Sequence, residues 1–295
     1  MIARSADDAV MDTVVTTIRA RKSAAAAASR AGVVLRPLDS TADSFACERF
    51  LSAVWRTGPS RPPIAADVIK AIADAGSYVA GAFDERTDTL LGVCIGLWGP
   101  PDRPGMHSHL AGVLDSARGR HVGLALKLDQ RAHALESGVT RITWTFDPLV
   151  ARNASFNLGK LGGTATKYLP DHYGRLSDGL NGTDDTDRLM LQWDLLDDRV
   201  IAVCDEGIPN EHHSPAPYVL AAVEGRPVSH PVKVKKVMVA VPSDIEMVRL
   251  HDPVLAGQWR AAVREVLGGL LADGARVLGF VRSAEAYLVE SGEWQ

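Results

Sequence analysis

Hydrophobic positions recur along the chain with two periods, and the switches between them mark out its elements. Alternating or continuous apolar runs bounded by Gly, Pro and Asp predict strands at 33–38 (VVLRPL), 78–84 (YVAGAFD), 90–99 (LLGVCIGLWG), 106–114 (MHSHLAGVL), 141–149 (RITWTFDPL) and 187–195 (DRLMLQWDL). Between them, apolar residues three and four apart predict helices. The first opens on Ser, Thr and Asp and carries Phe45, Phe50, Leu51 and Val54 as far as Trp55, while the second, at 65–76, closes on Gly76. A third sets Ala125, Leu128, Ala132 and Leu135 on one face, and NASFNLGKLGG (153–163) reads as a short helix closed by glycines. Beyond the Pro- and His-containing stretch DEGIPNEHHSPAP (205–217) the pattern is simpler. It predicts strands at 218–223 and 234–242, a helix over 254–272 holding Trp259, Val263, Val266, Leu267 and Leu270, and strands at 275–282 and 285–290.

This pattern divides the chain into an Ala-rich N-terminal lead-in (1–31), flexible as a frayed helix or a disordered segment, a domain at 32–197 and a C-terminal α/β subdomain at 198–295. Strands follow one another too often for a purely alternating fold, so the class is mixed α/β (an α+β mixed sheet). No repeat of 20–50 residues is present.

Charge narrows the partners. Lys and Arg together number 32 against 36 Asp and Glu, a formal net charge of −4. The whole chain therefore lacks the positive surplus that a nucleic-acid surface requires. Cys47, Cys94 and Cys204 are far apart and form no metal-binding or redox pair, which points to inert thiols in a reducing compartment. No apolar run reaches the roughly 18 residues of a membrane span, and the N-terminus lacks a signal peptide's apolar centre. A cytoplasmic location, with no membrane and no metal partner, is expected.

The stretch ARGRHVGLALKLDQ (117–130) carries the chemistry. A pyrophosphate needs backbone N–H groups at a helix start, small residues that let the backbone come close, and nearby cations. Gly119, Gly123 and Ala125 are small, and Arg118 and Arg120 are cationic. GxxxxGK[ST] and GxGxxG are both absent. What fits is Arg-x-x-Gly-x-Ala at Arg120, Gly123 and Ala125, preceded by a strand and opening a helix; the alternative is a basic loop feeding a surface helix.

This spacing resembles the acetyl-CoA signature Q/R-x-x-G-x-G/A of the GNAT superfamily of N-acetyltransferases. The order of elements from Val33 to about Leu195 is similar to that of the GNAT acyl-CoA N-acyltransferase fold, and Asn153 with Lys160-Leu161-Gly162 resembles its later motif. The segments HSH-x-x-GV, WTFDPL, N-x-x-x-N-L-x-K-L-G, Y-x-x-x-x-YG and TDR-x-x-x-x-W look like a bacterial branch with an extra C-terminal segment. Some members of that branch transfer a succinyl group from succinyl-CoA to D-amino acids. The resemblance spans 32 to 290.

The resemblance implies an N-acyltransferase that moves an acetyl or succinyl group from CoA to the primary amine of a small molecule, with acetyl-CoA or succinyl-CoA as donor. Leu110, Ala111, Gly112 and Val113 would meet the pantetheine and thioester. Arg118, Gly119, Arg120, His121, Val122, Gly123, Leu124 and Ala125 would surround the pyrophosphate, and Asn153 would contact the pantetheine arm. His107 and His109, two apart on a strand, share a face, and either could accept the amine's proton; the alternative is a pair bonded within a packed sheet. The family's acidic tyrosine is replaced by Leu158, and Gly163 stands where an aromatic is usual. Tyr168 and Tyr173 are candidate substitutes, against the plainer reading of core or sheet-edge tyrosines. Arg152, Arg175 and Arg188 are candidate cations for an acceptor carboxylate. The C-terminal subdomain would shape the acceptor pocket and support a homodimer. A degraded member that binds acyl-CoA as a sensor is the competing reading.

Overall fold

The structure, a computed structural model, describes residues 6–58, 61–174, 184–208 and 216–292. It contains two compact units. The first comprises the described residues of Met1–Thr143 and Asp194–Gly207, and the second those of Trp144–Trp193 and Ile208–Gln295. The division differs from the expected one at 32–197 and 198–295, because the chain leaves the first unit within a strand and returns to it briefly after another.

In the first unit, helix α1 (Ala6–Ala31) leads into strand β1 (Val33–Pro37), helices α2 (Thr41–Trp55) and α3 (Ala66–Asp74), and strands β2 (Tyr78–Asp84), β3 (Leu90–Trp98) and β4 (Met106–Val113). Helix α4 (Val122–Glu136) and strand β5 (Arg141–Phe146), which begins here, follow. The strands run in the order β1-β2-β3-β4-β5, antiparallel up to β4 and parallel between β4 and β5. The α2 start is a capping box: Ser40 accepts from the Asp43 amide, and Asp43 accepts from the Ser40 amide.

The sequence of β3 explains how helices fit on both faces. Val93 and Ile95 join Leu38, Phe50, Leu51, Ile69 and Val79 in the core beneath α2 and α3. The alternate positions are small. A Cβ on Gly92 would lie 2.8 Å from Leu126, and one on Gly96 would lie 2.9 Å from Gln130. Small residues on one face and branched ones on the other therefore bring α4 close to the strand.

The N-terminal lead-in, expected to be flexible, is instead the 26-residue helix α1. It lays a seam of Ala20, Ala24, Ala27 and Ala31 against the unit, all buried. Its Arg21 reaches Asp129 at 2.5 Å and Glu136 at 2.6 Å on α4. The buried polar residues of α4 have other neighbours: Lys127 donates to Ser108 of β4, Gln130 lies beside Gly96 of β3, and Arg131 donates to the Leu195 carbonyl. Helix α6 (Asp198–Asp205) also belongs here, its Asp205 paired with Arg131 at 2.7 Å.

In the second unit, the end of β5 is followed by the short helix α5 (Ala151–Ala154) and a π-helical turn (Ser155–Lys160). Strand β6 (Thr164–Leu169) pairs antiparallel with β7 (Arg188–Asp194). Trp144 and Phe146 are buried on one face, and Trp144 meets Trp193 edge-on. The C-terminal part adds β8 (Tyr218–Val223), β9 (Arg226–Ser229), β10 (Lys236–Ala240), β11 (Arg276–Val281) and β12 (Ala286–Glu290), in the sheet order β11-β12-β10-β8-β9. The helix expected at 254–272 is present as one run of α8 (Pro253–Val263), a π-helical turn (Arg264–Gly268) and α9 (Gly269–Ala272), preceded by the separate helix α7 (Ile245–His251). Pro253 and the Asp252 side-chain cap on Leu255 start α8 anew.

Candidate active site

Strand β4 holds an irregularity at its centre. Ile95 pairs with Leu110 and Gly96 with Ser108, so His109 is an extra residue bulged out of the β3 ladder. The bulge reverses the side-chain alternation. Ser108 reaches the α4 side, where it accepts from Lys127, whereas Leu110 packs into the α2–α3 core. His107 and His109 stand with ring centroids 6.0 Å apart. Partial desolvation holds the His109 imidazole below its ordinary pKa, which favours the neutral, proton-accepting form.

Pairing of β4 with β5 comprises Met106↔Ile142 and His107↔Thr143. From Ser108 to Val113 the strand is paired through β3, and its pairing with β5 within the first unit is the pair of positions given above. Gly112 is fixed by packing, because a Cβ there would lie 2.8 Å from the Trp55 ring. Where β4 ends, a cavity of about 280 Å³ opens between Val54 of α2, with Arg56 just beyond that helix, and the segment from Val113 to Ser116.

The loop to α4 then turns through two left-handed residues, Gly119 (φ +82°) and His121 (φ +63°). The His121 carbonyl accepts from the amides of Leu124 and Ala125. The preceding amides, Val122 and Gly123, begin the helix and have no acceptor among the described residues. Nothing in the packing demands a glycine at 123, since an added Cβ would meet only Val113 at an ordinary 3.6 Å. The small residue leaves the helix start open from outside.

The two arginines of the loop differ sharply. Arg120, expected beside a ligand phosphate, is bound within the protein: Nη1 pairs with Asp84 at 2.9 Å, and Nη2 donates to the carbonyls of Ala31 (3.1 Å) and Gly32 (3.2 Å). That guanidinium, with the Arg86 and Thr87 amides, lowers the Asp84 carboxyl to about 2. Arg118 is exposed and, among the described residues, pairs with the exposed Asp115 at 2.7 Å. It is the cation at this helix start that can turn to a ligand.

The remaining candidates lie in the second unit. Asn153 is half-buried on α5. Leu158, in the slot expected for an acidic tyrosine, is buried in the π-helical turn. Gly163 has no room for the usual aromatic, because even a Cβ would lie 2.6 Å from Leu191. Tyr168 donates to Asp187 at 2.6 Å, and burial, reinforced by that carboxylate, raises its pKa far above the ordinary phenol value. It is held as a structural donor. Tyr173 is half-exposed, with its hydroxyl 3.0 Å from that of Thr145. Arg152 pairs with Glu246 on α7, and Arg188 is buried, donating to the Asp187 carbonyl with its guanidinium 5.4 Å from the Tyr173 ring. Arg175 lies outside the described residues.

Sequence reasoning missed a buried ionic cluster in this unit. Asp147 receives both Nη atoms of Arg260 at 2.9 Å and Arg249 at 2.6 Å. Asp184 accepts from the same two arginines, and Asp187 from Arg264. Burial alone would raise the Asp147 carboxyl, but the Arg260 and Arg249 guanidiniums hold it well below the carboxylate range. Arg249 comes from α7, Arg260 from α8 and Arg264 from the π-helical turn, yet their partners lie 65 to 113 residues away and no local pattern announces them.

The three cysteines are buried and form no disulfide among the described residues. Burial pushes Cys47 and Cys204 up to about 12. Among the described residues there is no group of three or more His, Cys, Asp or Glu that could hold a metal ion, and no helix is long and apolar enough to cross a membrane.

No protein-family model matches the chain, and no curated protein matches it. Solved structures do. It is similar to yncA of Salmonella typhimurium, solved with its cofactor acetyl-CoA, at 19% identity over 57% of this chain and 95% of that one, with a TM-score of 0.45. A GNAT-superfamily phosphinothricin acetyltransferase from Sinorhizobium meliloti, in complex with acetyl-CoA, is 16% identical over 55% of this chain and 87% of its own, TM-score 0.44. An N-acetyltransferase from Staphylococcus aureus Mu50 is 15% identical over 55% and 98%, TM-score 0.45.

Proposed function

We propose that the chain is an acyl-CoA-dependent N-acyltransferase of the GNAT type, acting on the primary amine of a small molecule such as an amino acid. The observation that carries this reading is the run from the bulged strand β4, through the left-handed loop, to the amides of Val122 and Gly123, which have no acceptor among the described residues. An extended amide-bearing arm suits the strand, and a pyrophosphate suits the helix start and its dipole. Bound acyl-CoA would supply a thioester carbonyl to the attacking amine.

The chain's own groups then have defined tasks. The β4 amides from Leu110 to Val113 hold the pantetheine and donate to the carbonyl oxygen as charge develops on it. Arg118 completes the pyrophosphate site. His109, with His107 beside it, accepts the proton the amine must lose. The choice between an acetyl and a succinyl donor rests on the resemblance of the HSH-x-x-GV and TDR-x-x-x-x-W segments alone.

A second reading has one observation in its favour. The buried Leu158 supplies no proton donor where the family has one, which suits a protein that binds acyl-CoA without turnover. Calorimetric titration with acetyl-CoA and succinyl-CoA, combined with thiol release over a panel of amines and amino acids, separates the two. Binding with turnover of at least one amine supports the enzyme, and binding with none supports the sensor. Absence of binding to either thioester removes both.

A further inference from the structure

Helix α1 is amphipathic in an unusual sense. Its small residues, from Ala20 to Ala31, face the protein, while its large aliphatic ones face solvent. Met11 is 64% exposed, Val14 48%, Val15 41% and Ile18 53%. These four positions are spaced i, i+3, i+4 and i+7, the stripe by which one helix meets another. A helix serving only to cover α4 would place such side chains inward.

We propose that this stripe is an antiparallel helix–helix interface with a second copy of the chain. The stripe is symmetric about the midpoint between Val14 and Val15. In an antiparallel pair centred there, Met11 of one copy lies level with Ile18 of the other, and Val14 with Val15, so a two-fold axis makes the surface self-complementary. The polar flanks agree. Asp12 stands exposed towards the N-terminal end of the stripe, and Arg19 and Lys22 stand exposed towards the other end. Antiparallel pairing brings the acidic end of each helix to the basic end of its neighbour, and parallel pairing would stack like on like. The mixed charge also argues against a membrane surface, which selects a helix with a uniformly basic polar face. A stripe about 12 Å long is shorter than a standard interface supplies, so the dimer is a weak one that dissociates on dilution.

Sedimentation of the full chain between about 1 and 200 µM, the range over which a sub-standard interface assembles, tests this. The wild type moves from monomer towards dimer, and Ile18→Glu, a change at an exposed position, stays monomeric with an unaltered melting temperature. Because the native cysteines are all buried, oxidative cross-linking reads the geometry. Val14→Cys and Val15→Cys cross-link with themselves; Met11→Cys does so only when combined with Ile18→Cys. The proposal is overturned by a wild type that stays monomeric throughout, by a dimer indifferent to Ile18→Glu, or by Met11→Cys cross-linking as readily as Val14→Cys. It is equally overturned if monomeric wild type binds phosphatidylglycerol vesicles and Ile18→Glu does not.

Discussion

Lys127 of α4 donates to the Ser108 hydroxyl at 3.0 Å and to the Gln130 side-chain carbonyl at 2.7 Å, entirely within the protein. Ser108 immediately precedes the bulged His109. A buried ammonium thus ties the helix that follows the loop to the irregular point of β4.

Burial carries a measurable consequence for pH. Desolvation lowers the Lys127 amine from 10.5 to about 8. Between those values the unfolded chain holds a proton that the folded protein has released, so stability rises with pH through that window. The gain attributable to this group is about 3 kcal/mol across it. Above pH 9 the buried Cys47 and Cys204 thiols act in the opposite sense in either protein, so the lysine is read as a difference. In denaturant unfolding from about pH 7.5 to 10.5, the stability of the wild type minus that of Lys127→Met should rise with pH. Parallel curves for the two proteins would remove the lysine from the account.

Arg118 and Arg120 should separate cleanly on substitution. Arg120→Ala leaves Asp84 and the carbonyls of Ala31 and Gly32 without their donor, and so lowers the melting temperature by several degrees. The Asp84 contribution is present above pH 3.8, its ordinary value, and disappears as pH falls towards 2. Arg118→Ala should leave the melting temperature unchanged and weaken acetyl-CoA binding about tenfold, the loss of one charge-assisted contact. Calorimetry and thermal melts on the two variants check both statements. Equal effects on binding and stability from each would contradict the division of labour.

Much of the fold was legible because its signals are local. The run LLGVCIG announces a strand buried on both faces, and Ser40 with Asp43 announces a helix start. Helix α1 was legible only as a frayed helix or a disordered lead-in, because its buried face consists of alanines, which carry no hydrophobic period, while its aliphatic stripe points the other way. The signature loop was legible as a helix start with small residues. Which arginine remains available was not, because the partner of Arg120 lies on β2 and its carbonyl acceptors end α1. Gly163 read as a missing aromatic; packing against Leu191 shows instead a position closed to any side chain.

The cluster around Asp147 should be the most sensitive polar point of the second unit. Asp147→Asn leaves Arg249 and Arg260 buried with one carboxylate fewer, a loss of about 3–5 kcal/mol. The Asp147 carboxyl is depressed in the folded state, so its contribution is full above pH 3.8 and declines on acidification. Urea unfolding at neutral pH measures the loss, and an Asp147→Asn protein within about 1 kcal/mol of wild type, the range of exposed ion pairs, would mean that the cluster contributes little.

His121 offers a test in the opposite direction. It occupies a left-handed conformation at φ +63° and makes no side-chain cap to α4, a state that costs a residue with a Cβ about 1–2 kcal/mol. Glycine adopts that conformation without strain, although it also gains freedom in the unfolded chain. The strain exceeds the entropy, so His121→Gly should stabilise the protein by about 0.5–1 kcal/mol. If the loop only cradles a pyrophosphate through its backbone, acetyl-CoA affinity should be unchanged in the same variant. A melting temperature that rises while affinity collapses would show that the imidazole itself contacts the ligand, and that the strain is retained for binding.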